Sequence, residues 1–256
     1  LKDKKDKFMM TLLLILKMVN ESWDKVAISY AGRILTTAKI LYPSALESLK
    51  KIKNKKILDL GCGAGHFSDI LNKKGAKVTG IDSSKEMINI AKNNYPSIKF
   101  YNLPIEDMKK LKDSEFDYAI AIMVFLCFKD KDKIKSALEE INNKLSKKGE
   151  LIIVDLHPCA KRSFETEIVK QKFPENSYFK SGIPFETILT NENKESMTFF
   201  NYNWTLEDYF HLLKKSNFAI QELKELNPSK ENAEKFPSLE PFLKIPQYLL
   251  IKAKKD

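Results

Sequence analysis

The run from Ile57 to His66 is the feature that most constrains the fold of this chain. Its sequence, ILDLGCGAGH, is a short apolar segment around one acid, followed at once by three alternating glycines. Such a segment predicts a buried strand that ends in a tight turn, because glycine accepts positive φ and lets another molecule approach the backbone closely. At the carboxyl end of a parallel strand, a turn of this kind is where open α/β sheets bind nucleotides.

From about residue 55 the chain alternates between apolar runs and segments of helical period, which predicts a parallel sheet with crossover helices. The predicted strands are Ile57–Leu60, Lys77–Ile81, Ile98–Tyr101, Phe116–Ile122 and Glu150–Asp155. One helix is predicted to begin at a capping box formed by Ser83 and Glu86. The helix before the fifth strand carries Ile134 and Leu138, and we expect it to end at Gly149 after two lysines.

After Asp155 this rhythm breaks, and the chain resumes a helical pattern only at Thr205, which has capping-box spacing with Asp208. Two β-prone runs in between, Pro184–Thr190 and Glu195–Tyr202, predict a hairpin. Two further strands are predicted at Phe218–Leu226 and Gln247–Ala253. We therefore expect an N-terminal extension at 1–19 and one domain at 20–256, with a cofactor-binding core at 50–156 and an inserted cap at about 157–204.

The formal charge of +10 invites a nucleic-acid interpretation, but the basic residues argue against it. Arg33 and Arg162 are the only arginines, and lysine supplies the rest of the positive charge along the whole chain. Arginine is the residue preferred for bidentate contacts to phosphates and bases. The composition therefore favours a solvated lysine surface over a dedicated nucleic-acid interface.

The cysteines are too few and too scattered for a disulfide framework or a zinc site, so we expect a reducing, cytoplasmic setting and no metal. They are Cys62, Cys127 and Cys159. The apolar stretch Met9–Leu16 is too short to cross a bilayer, and no small-residue cleavage site follows it. We therefore expect no membrane anchor.

An acid stands at the end of the second predicted strand. Asp82 lies 21 residues after Gly61, where a carboxylate can accept hydrogen bonds from both hydroxyls of a ribose. The glycine spacing is Gly-x-Gly-x-Gly, with His66 where a dinucleotide fingerprint would place its third glycine. No Lys-Ser/Thr pair follows, so the turn does not match a P-loop either.

The turn resembles motif I of the class I S-adenosylmethionine-dependent methyltransferases. Further segments are similar to other motifs of that family, and together they cover roughly residues 20–155: Val78–Ile88, Phe116–Ile120, Leu145–Leu151, and Trp23–Ala27 with Tyr30 as an N-terminal cap helix. The resemblance implies a Rossmann-like, doubly wound, seven-stranded sheet, mostly parallel with an antiparallel last strand, plus an inserted cap. It implies S-adenosylmethionine as cofactor and S-adenosylhomocysteine as product.

The resemblance also implies which positions bind the cofactor. These are Tyr30, Asp59, Gly61, Cys62, Gly63, Gly65, Asp82, Ser83, Met87, Ile105, Glu106, Met123 and Val124. Asp59 would orient the glycine loop beneath the methionine part, Asp82 would bind the ribose, and Met123 with Val124 would face the reacting end. Ser83, Met87, Ile105 and Glu106 would surround the adenine, although Pro104 stands where the family usually has an acid.

The methyl acceptor is less well marked. The Asn-Pro-Pro-Tyr/Phe motif of enzymes that methylate amino groups of bases or glutamine is replaced by the run from Met123 to Leu126. We expect methyl transfer to a small molecule, with the aromatic residues of the cap either roofing its pocket or simply packing on the sheet. His157 is the one histidine placed to act as a base. The alternatives are an RNA or protein methyltransferase, a non-catalytic adenosyl-cofactor-binding protein and, more remotely, a dehydrogenase.

Overall fold

The computed structural model describes residues 38–160, 164–165, 169–174, 178–190, 196–235, 240 and 243–256. Its first half contains α1 (Ala38–Ser48), β1 (Lys56–Leu60), α2 (His66–Lys73), β2 (Lys77–Asp82), α3 (Lys85–Asn94), β3 (Lys99–Asn102), β4 (Phe116–Ile122), α4 (Lys131–Lys144) and β5 (Leu145–Leu156). Its second half contains β6 (Phe164–Glu165), β7 (Val169–Lys172), β8 (Pro184–Thr190), β9 (Ser196–Tyr202), α5 (Leu206–Lys215), β10 (Phe218–Leu226), α6 (Lys230–Lys235) and β11 (Tyr248–Lys255).

The main sheet has seven strands in the order β3-β2-β1-β4-β5-β11-β10. The first five are mutually parallel, whereas β11 runs antiparallel to both of its neighbours. This topology confirms the predicted fold class. The strand order reverses between β1 and β4, and ligands of open α/β sheets bind in the crevice outside the carboxyl ends of strands at such a point. The glycine turn after β1 lies at this crevice.

Helices cover both faces of the main sheet, because its central strands are apolar on both sides. One core joins inward side chains of α1, α2 and α3 to the sheet, and the other joins those of α4 and α5. The alternation is clear on β1, where Ile57 belongs to the first core and Leu58 to the second. Across the described ranges, no helix has the length and hydrophobicity needed to cross a membrane.

A second sheet, β6-β7-β8-β9, is antiparallel throughout. Its last two strands, β8 and β9, form the predicted hairpin, and Glu195 lies outside the described residues. We call the buried face of this sheet the inner face; its buried side chains are Gln171, Phe185, Thr187, Phe199 and Asn201. Strand β9 packs against a 3₁₀ turn, Phe125–Cys127, that follows β4. The second sheet therefore lies over the crevice side of the main sheet.

Two predicted helix ends are wrong by a few residues. Helix α4 ends at Lys144, and Gly149 lies inside β5, which begins five residues earlier than the predicted strand. Helix α3 is capped by Ser84, not Ser83, because the Ser84 hydroxyl accepts the Met87 N–H at 3.2 Å. The capping box of α5 is confirmed, with both reciprocal hydrogen bonds between Thr205 and Asp208 present.

Candidate active site

The three glycines of the turn have different surroundings. All have positive φ, at 62° for Gly61, 53° for Gly63 and 84° for Gly65. A Cβ atom placed on Gly61 would lie 2.7 Å from Val124 Cγ2, and one on Gly65 would lie 2.9 Å from Phe100 Cζ. No heavy atom lies within 4 Å of a Cβ placed on Gly63. Gly63 is therefore the glycine that leaves open space, while Gly65 permits close helix and strand packing.

The predicted ribose-binding acid is held against this turn. Asp82 Oδ2 accepts the Gly63 N–H at 2.9 Å, and Oδ1 accepts the Ser84 N–H at 2.8 Å. The Cys62 N–H also donates to the Ile81 carbonyl at 3.0 Å, so the end of β2 and the turn after β1 form one unit. These bonds fix the Asp82 carboxylate at the turn, and a carboxylate can accept several donors at once.

Asp59 lies beneath the turn, with 3% of its surface exposed. The Ser68 hydroxyl donates to its Oδ2 at 2.5 Å, which connects β1 to α2 across the glycine turn. Burial raises the pKa of this carboxyl to about 7, with a smaller contribution from the charge of Asp82. The hydrogen bond between Asp59 and Ser68 therefore stabilises the turn, and Asp59 adds an acidic group beside the crevice.

The predicted adenine-side residues follow β2 and β3 in the chain, and they differ in their exposure. Ser83 and Glu106 are exposed, whereas Met87 and Ile105 are buried. Sequence reasoning missed Asn102, whose amide nitrogen donates to the carbonyls of Asp82, at 3.1 Å, and Ser83, at 2.9 Å. Asn102 thus fixes the loop after β2. Its position at the end of β3 was the available signal.

The backbone after β4 adopts a strained conformation beside the turn. Met123 has φ 59°, a left-handed value that is uncommon for a residue with a long side chain. Its N–H donates to the Val154 carbonyl at 2.8 Å, and the next residue, Val124, contacts Gly61. Strain of this kind clusters at functional sites, where surrounding contacts maintain it. The structure thus places Met123 and Val124 beside the glycine turn, and their contact with the cofactor stays a prediction.

A buried acid that sequence reasoning did not select fixes the same loop. Asp155 Oδ2 accepts the Leu126 N–H at 2.9 Å and the Tyr209 hydroxyl at 3.1 Å. Burial, followed by the neighbouring Asp155, raises the pKa of Tyr209 well above its usual range, so its phenol stays a donor. An acid ending a buried strand was a usable signal for Asp155, but its pairing with Tyr209 was not visible in the sequence.

The predicted base, His157, is 1% exposed at the end of β5. Its Nδ1 accepts the Cys159 N–H at 3.0 Å, and its Nε2 lies 3.1 Å from Glu225 Oε1 on β10. These contacts hold the ring between strands, and a catalytic role for it stays a prediction. Tyr30, the other predicted site residue still to be placed, lies outside the described residues.

Three acids, Asp59, Asp82 and Asp155, approach the crevice from three strand ends. Among the buried side chains that the structure describes, one is a lysine, Lys252. Its Nζ lies 3.0 Å from Glu150 Oε2, so its charge is compensated locally. A cavity bordered by acids stabilises a positively charged ligand and disfavours an anionic one. These acidic residues therefore fit a cofactor that carries a positively charged sulfonium group.

An open α/β sheet with a glycine turn and an acid at its switch point defines an enzyme of the adenosyl- or nucleotide-cofactor class. Residues 51–237 match the family described as Methyltransferase domain. The chain is 30% identical over 198 residues to an uncharacterized protein of Haemophilus influenzae, covering 72% of this chain and 74% of that one. It is 26% identical over 220 residues to N-demethylindolmycin N-methyltransferase of Streptomyces griseus, covering 82% and 87%.

The fold has counterparts among solved structures. One is an S-adenosylmethionine-dependent methyltransferase from Mesorhizobium loti, with a TM-score of 0.66 at 21% identity over 83% of this chain and 96% of that one. The chain belongs to the methyltransferase-domain family and is an S-adenosylmethionine-dependent methyltransferase. The resemblance inferred from the glycine turn is confirmed.

Proposed function

We propose that this enzyme transfers a methyl group from S-adenosylmethionine to a small molecule bound between the crevice and the inner face of the second sheet. One observation carries the proposal: the inner face reaches the loop after β4. Cys127 Sγ, in the 3₁₀ turn, lies 3.8 Å from Asn201 Oδ1 on β9. The second sheet therefore roofs the loop beside which the methyl group would be transferred.

In this proposal different residues of the crevice bind different parts of the cofactor. The open side of Gly63 admits its methionine part, and the Asp82 carboxylate receives the ribose hydroxyls. Met123 and Val124 border the reacting end. When bound, S-adenosylmethionine supplies a methyl group that its positive sulfur has already activated. The protein's own task is to align an acceptor atom behind that methyl group and to exclude water.

The composition of the inner face favours a small, uncharged acceptor. Phe173 and Phe185 stack with ring centroids 4.2 Å apart, and Phe199 is buried on the neighbouring strand. None of the buried inner-face residues in the described ranges is lysine or arginine, which a nucleic acid would require. The relative named as an N-demethylindolmycin N-methyltransferase also supports a small-molecule acceptor.

The proposal needs no histidine base. Both ring nitrogens of His157 already have neighbours, and its side chain is almost fully buried. An acceptor atom that carries a lone pair at neutral pH requires alignment alone, since a base is needed only when a proton must leave before or during transfer. We therefore attribute the rate enhancement to the positioning of the acceptor atom behind the methyl group.

Transfer of a deuterated methyl group distinguishes the acceptor classes. In three separate reactions, the protein and trideuteromethyl S-adenosylmethionine are incubated with a small-molecule extract, with total RNA or with a protein extract. We expect mass spectrometry to find the label in the small-molecule fraction, and Asp82→Ala to abolish it. Label found only in RNA or protein would overturn the proposal. Binding of S-adenosylhomocysteine without label in any fraction would instead support a non-catalytic role.

A further inference from the structure

The inner face contains a row of uncharged polar side chains that are buried away from solvent. Gln171, Thr187 and Asn201 are 6%, 3% and 3% exposed, and they lie on three adjacent strands. Asn201 Nδ2 donates to Thr187 Oγ1 at 3.0 Å, and Gln171 Nε2 donates to the same oxygen at 3.3 Å. The row meets the loop after β4 where the Cys127 thiol contacts Asn201 Oδ1. We call these three residues the polar row.

The hydrogen bonds of the polar row meet at Thr187. Asn201 Nδ2 and Gln171 Nε2 both donate to Thr187 Oγ1. The Cys127 thiol, whose pKa burial raises to about 12, keeps its proton and lies 3.8 Å from both the Met123 carbonyl oxygen and Asn201 Oδ1. This leaves Gln171 Oε1 as a buried acceptor with no hydrogen-bond partner.

A buried carbonyl oxygen without a donor destabilises a folded protein, because it has lost its water and gained nothing in exchange. An apolar side chain of similar length would remove this penalty. The presence of glutamine at such a position is explained if a ligand supplies the missing donor. The charge of that ligand is constrained too, because an ionised group in this apolar setting would need a buried counter-ion.

The surroundings of Gln171 define the remainder of that ligand. Phe173 follows on the same face of the chain, and it stacks on Phe185 at an interplanar angle of 26°. Phe173 is half-buried and packs against the first core of the main sheet. Phe199 is buried opposite Thr187 in the register of β8 and β9. Aromatic side chains thus occupy positions next to the polar row on the same sheet, and aromatic rings favour a planar apolar group.

We propose that Gln171 Oε1 accepts a hydrogen bond from an N–H or O–H group of a neutral, ring-containing methyl acceptor. The proposal rests on the function proposed above and narrows its substrate class. Gln171 is then a specificity-determining residue for the acceptor. Thr187 and Asn201 are positioning residues that orient its amide from the loop after β4.

Gln171→Met tests the proposal directly, because methionine keeps the length of the side chain and removes its polar atoms. Lys172→Met is the matched control, since Lys172 is the next residue on the same strand and lies on the exposed face. We expect Gln171→Met to unfold thermally at or above the temperature of the wild type. Both variants should bind S-adenosylhomocysteine as the wild type does.

The probes are indole, which carries one N–H donor, and benzofuran, which has the same shape without it. Their binding to protein saturated with S-adenosylhomocysteine is measured by saturation-transfer NMR. We expect the wild type and Lys172→Met to prefer indole by about fivefold or more, as one net hydrogen bond allows. Gln171→Met should show no preference, and Thr187→Val should reduce it.

Absence of an indole preference in the wild type, or its persistence in Gln171→Met, would overturn this inference. A clear drop in the unfolding temperature of Gln171→Met would do the same, because the glutamine would then be stabilising the fold. These failures are distinct from failure of the proposed function, which the isotope experiment tests by itself. Label in small molecules together with indole binding that ignores Gln171 would sink the inference alone.

Discussion

Gly63 is the residue at which the cofactor and the backbone would meet most closely. Its φ is 53°, and a Cβ placed on it meets no heavy atom within 4 Å. In Gly63→Ala the new side chain would meet no neighbour. The free energy of unfolding should therefore fall only by the cost of holding alanine in a left-handed conformation, about 1–2 kcal/mol. The substitution should also weaken S-adenosylhomocysteine binding about tenfold or more, a loss of about 1.4 kcal/mol in binding free energy. Calorimetric titration combined with urea denaturation measures both effects.

Gly75→Ala is the control for that substitution. Gly75 has φ 87° and lies before β2, at the opposite end of the strand from Asp82. The flexible side chain of Lys53 is its nearest neighbour, with Cγ 3.2 Å from a Cβ placed there. We expect a similar loss of stability with unchanged binding. Equal binding by Gly63→Ala and the wild type would contradict the assignment of the turn.

Asp59 makes the stability of the protein depend on pH. Burial raises its pKa from the ordinary value of 3.8 to about 7, so the folded protein holds a proton that the unfolded chain has released in this interval. The free energy of unfolding should fall as pH rises from about 4 to 7, with a slope approaching 1.4 kcal/mol per pH unit. Asp59→Asn should flatten the curve in urea denaturations across this range. If the stability of the wild type and that of Asp59→Asn changed with pH in the same way, the raised pKa of Asp59 would be contradicted.

At the scale of elements, one capping box joins three parts of the chain. Asp208 Oδ2 accepts the Thr205 N–H at 2.9 Å, while the same carboxylate binds the Ser181 hydroxyl and lies 2.5 Å from Lys131 Nζ. Asp208→Ala should lower the free energy of unfolding by about 1–2 kcal/mol, because it removes the carboxylate half of the capping box and the acceptor of the Ser181 hydroxyl. Urea denaturation measures the loss, and Asp132→Ala, an exposed acid in α4, should change stability by about 0.5 kcal/mol or less.

Local pattern predicted the elements better than their ends. The box between Thr205 and Asp208 was visible because both partners lie within one turn of helix. The end of α4 was not, because a glycine after lysines is typical of a helix end. Here Gly149 lies in β5 instead, where a Cβ would come within 2.8 Å of Leu145 Cβ. That packing depends on a register shift between β4 and β5, which local sequence does not encode.

At the scale of the whole molecule, Lys252 connects α1 to the main sheet. Its Nζ donates to the Ser48 carbonyl at 2.9 Å and pairs with Glu150 at 3.0 Å. Lys252→Met should lower the free energy of unfolding by about 3 kcal/mol, because it leaves a partly buried carboxylate unpaired. Lys254→Met, on the exposed side of β11, should have little effect in the same guanidinium titration. Equal stability of both variants would contradict this role.

The crevice itself could be predicted from sequence, because the glycine turn and Asp82 are each set by local pattern at a strand end. The residues that complete it could not, because they depend on contacts between distant elements. Tyr209 reaches Asp155 from α5, and Asn201 reaches Cys127 from the second sheet. Such pairings come from the packing of elements, and a single sequence provides no spacing rule for them.

Titration calorimetry of S-adenosylhomocysteine tests whether the glycine turn and Asp82 bind the cofactor. The wild type should bind at one site per chain, and Asp82→Asn should bind about tenfold or more weakly, because an amide donor replaces one oxygen that receives the ribose hydroxyls. The unfolding midpoints of the two proteins show whether the variant is folded. Absence of binding by the wild type, or equal affinity in a folded Asp82→Asn, would contradict the account.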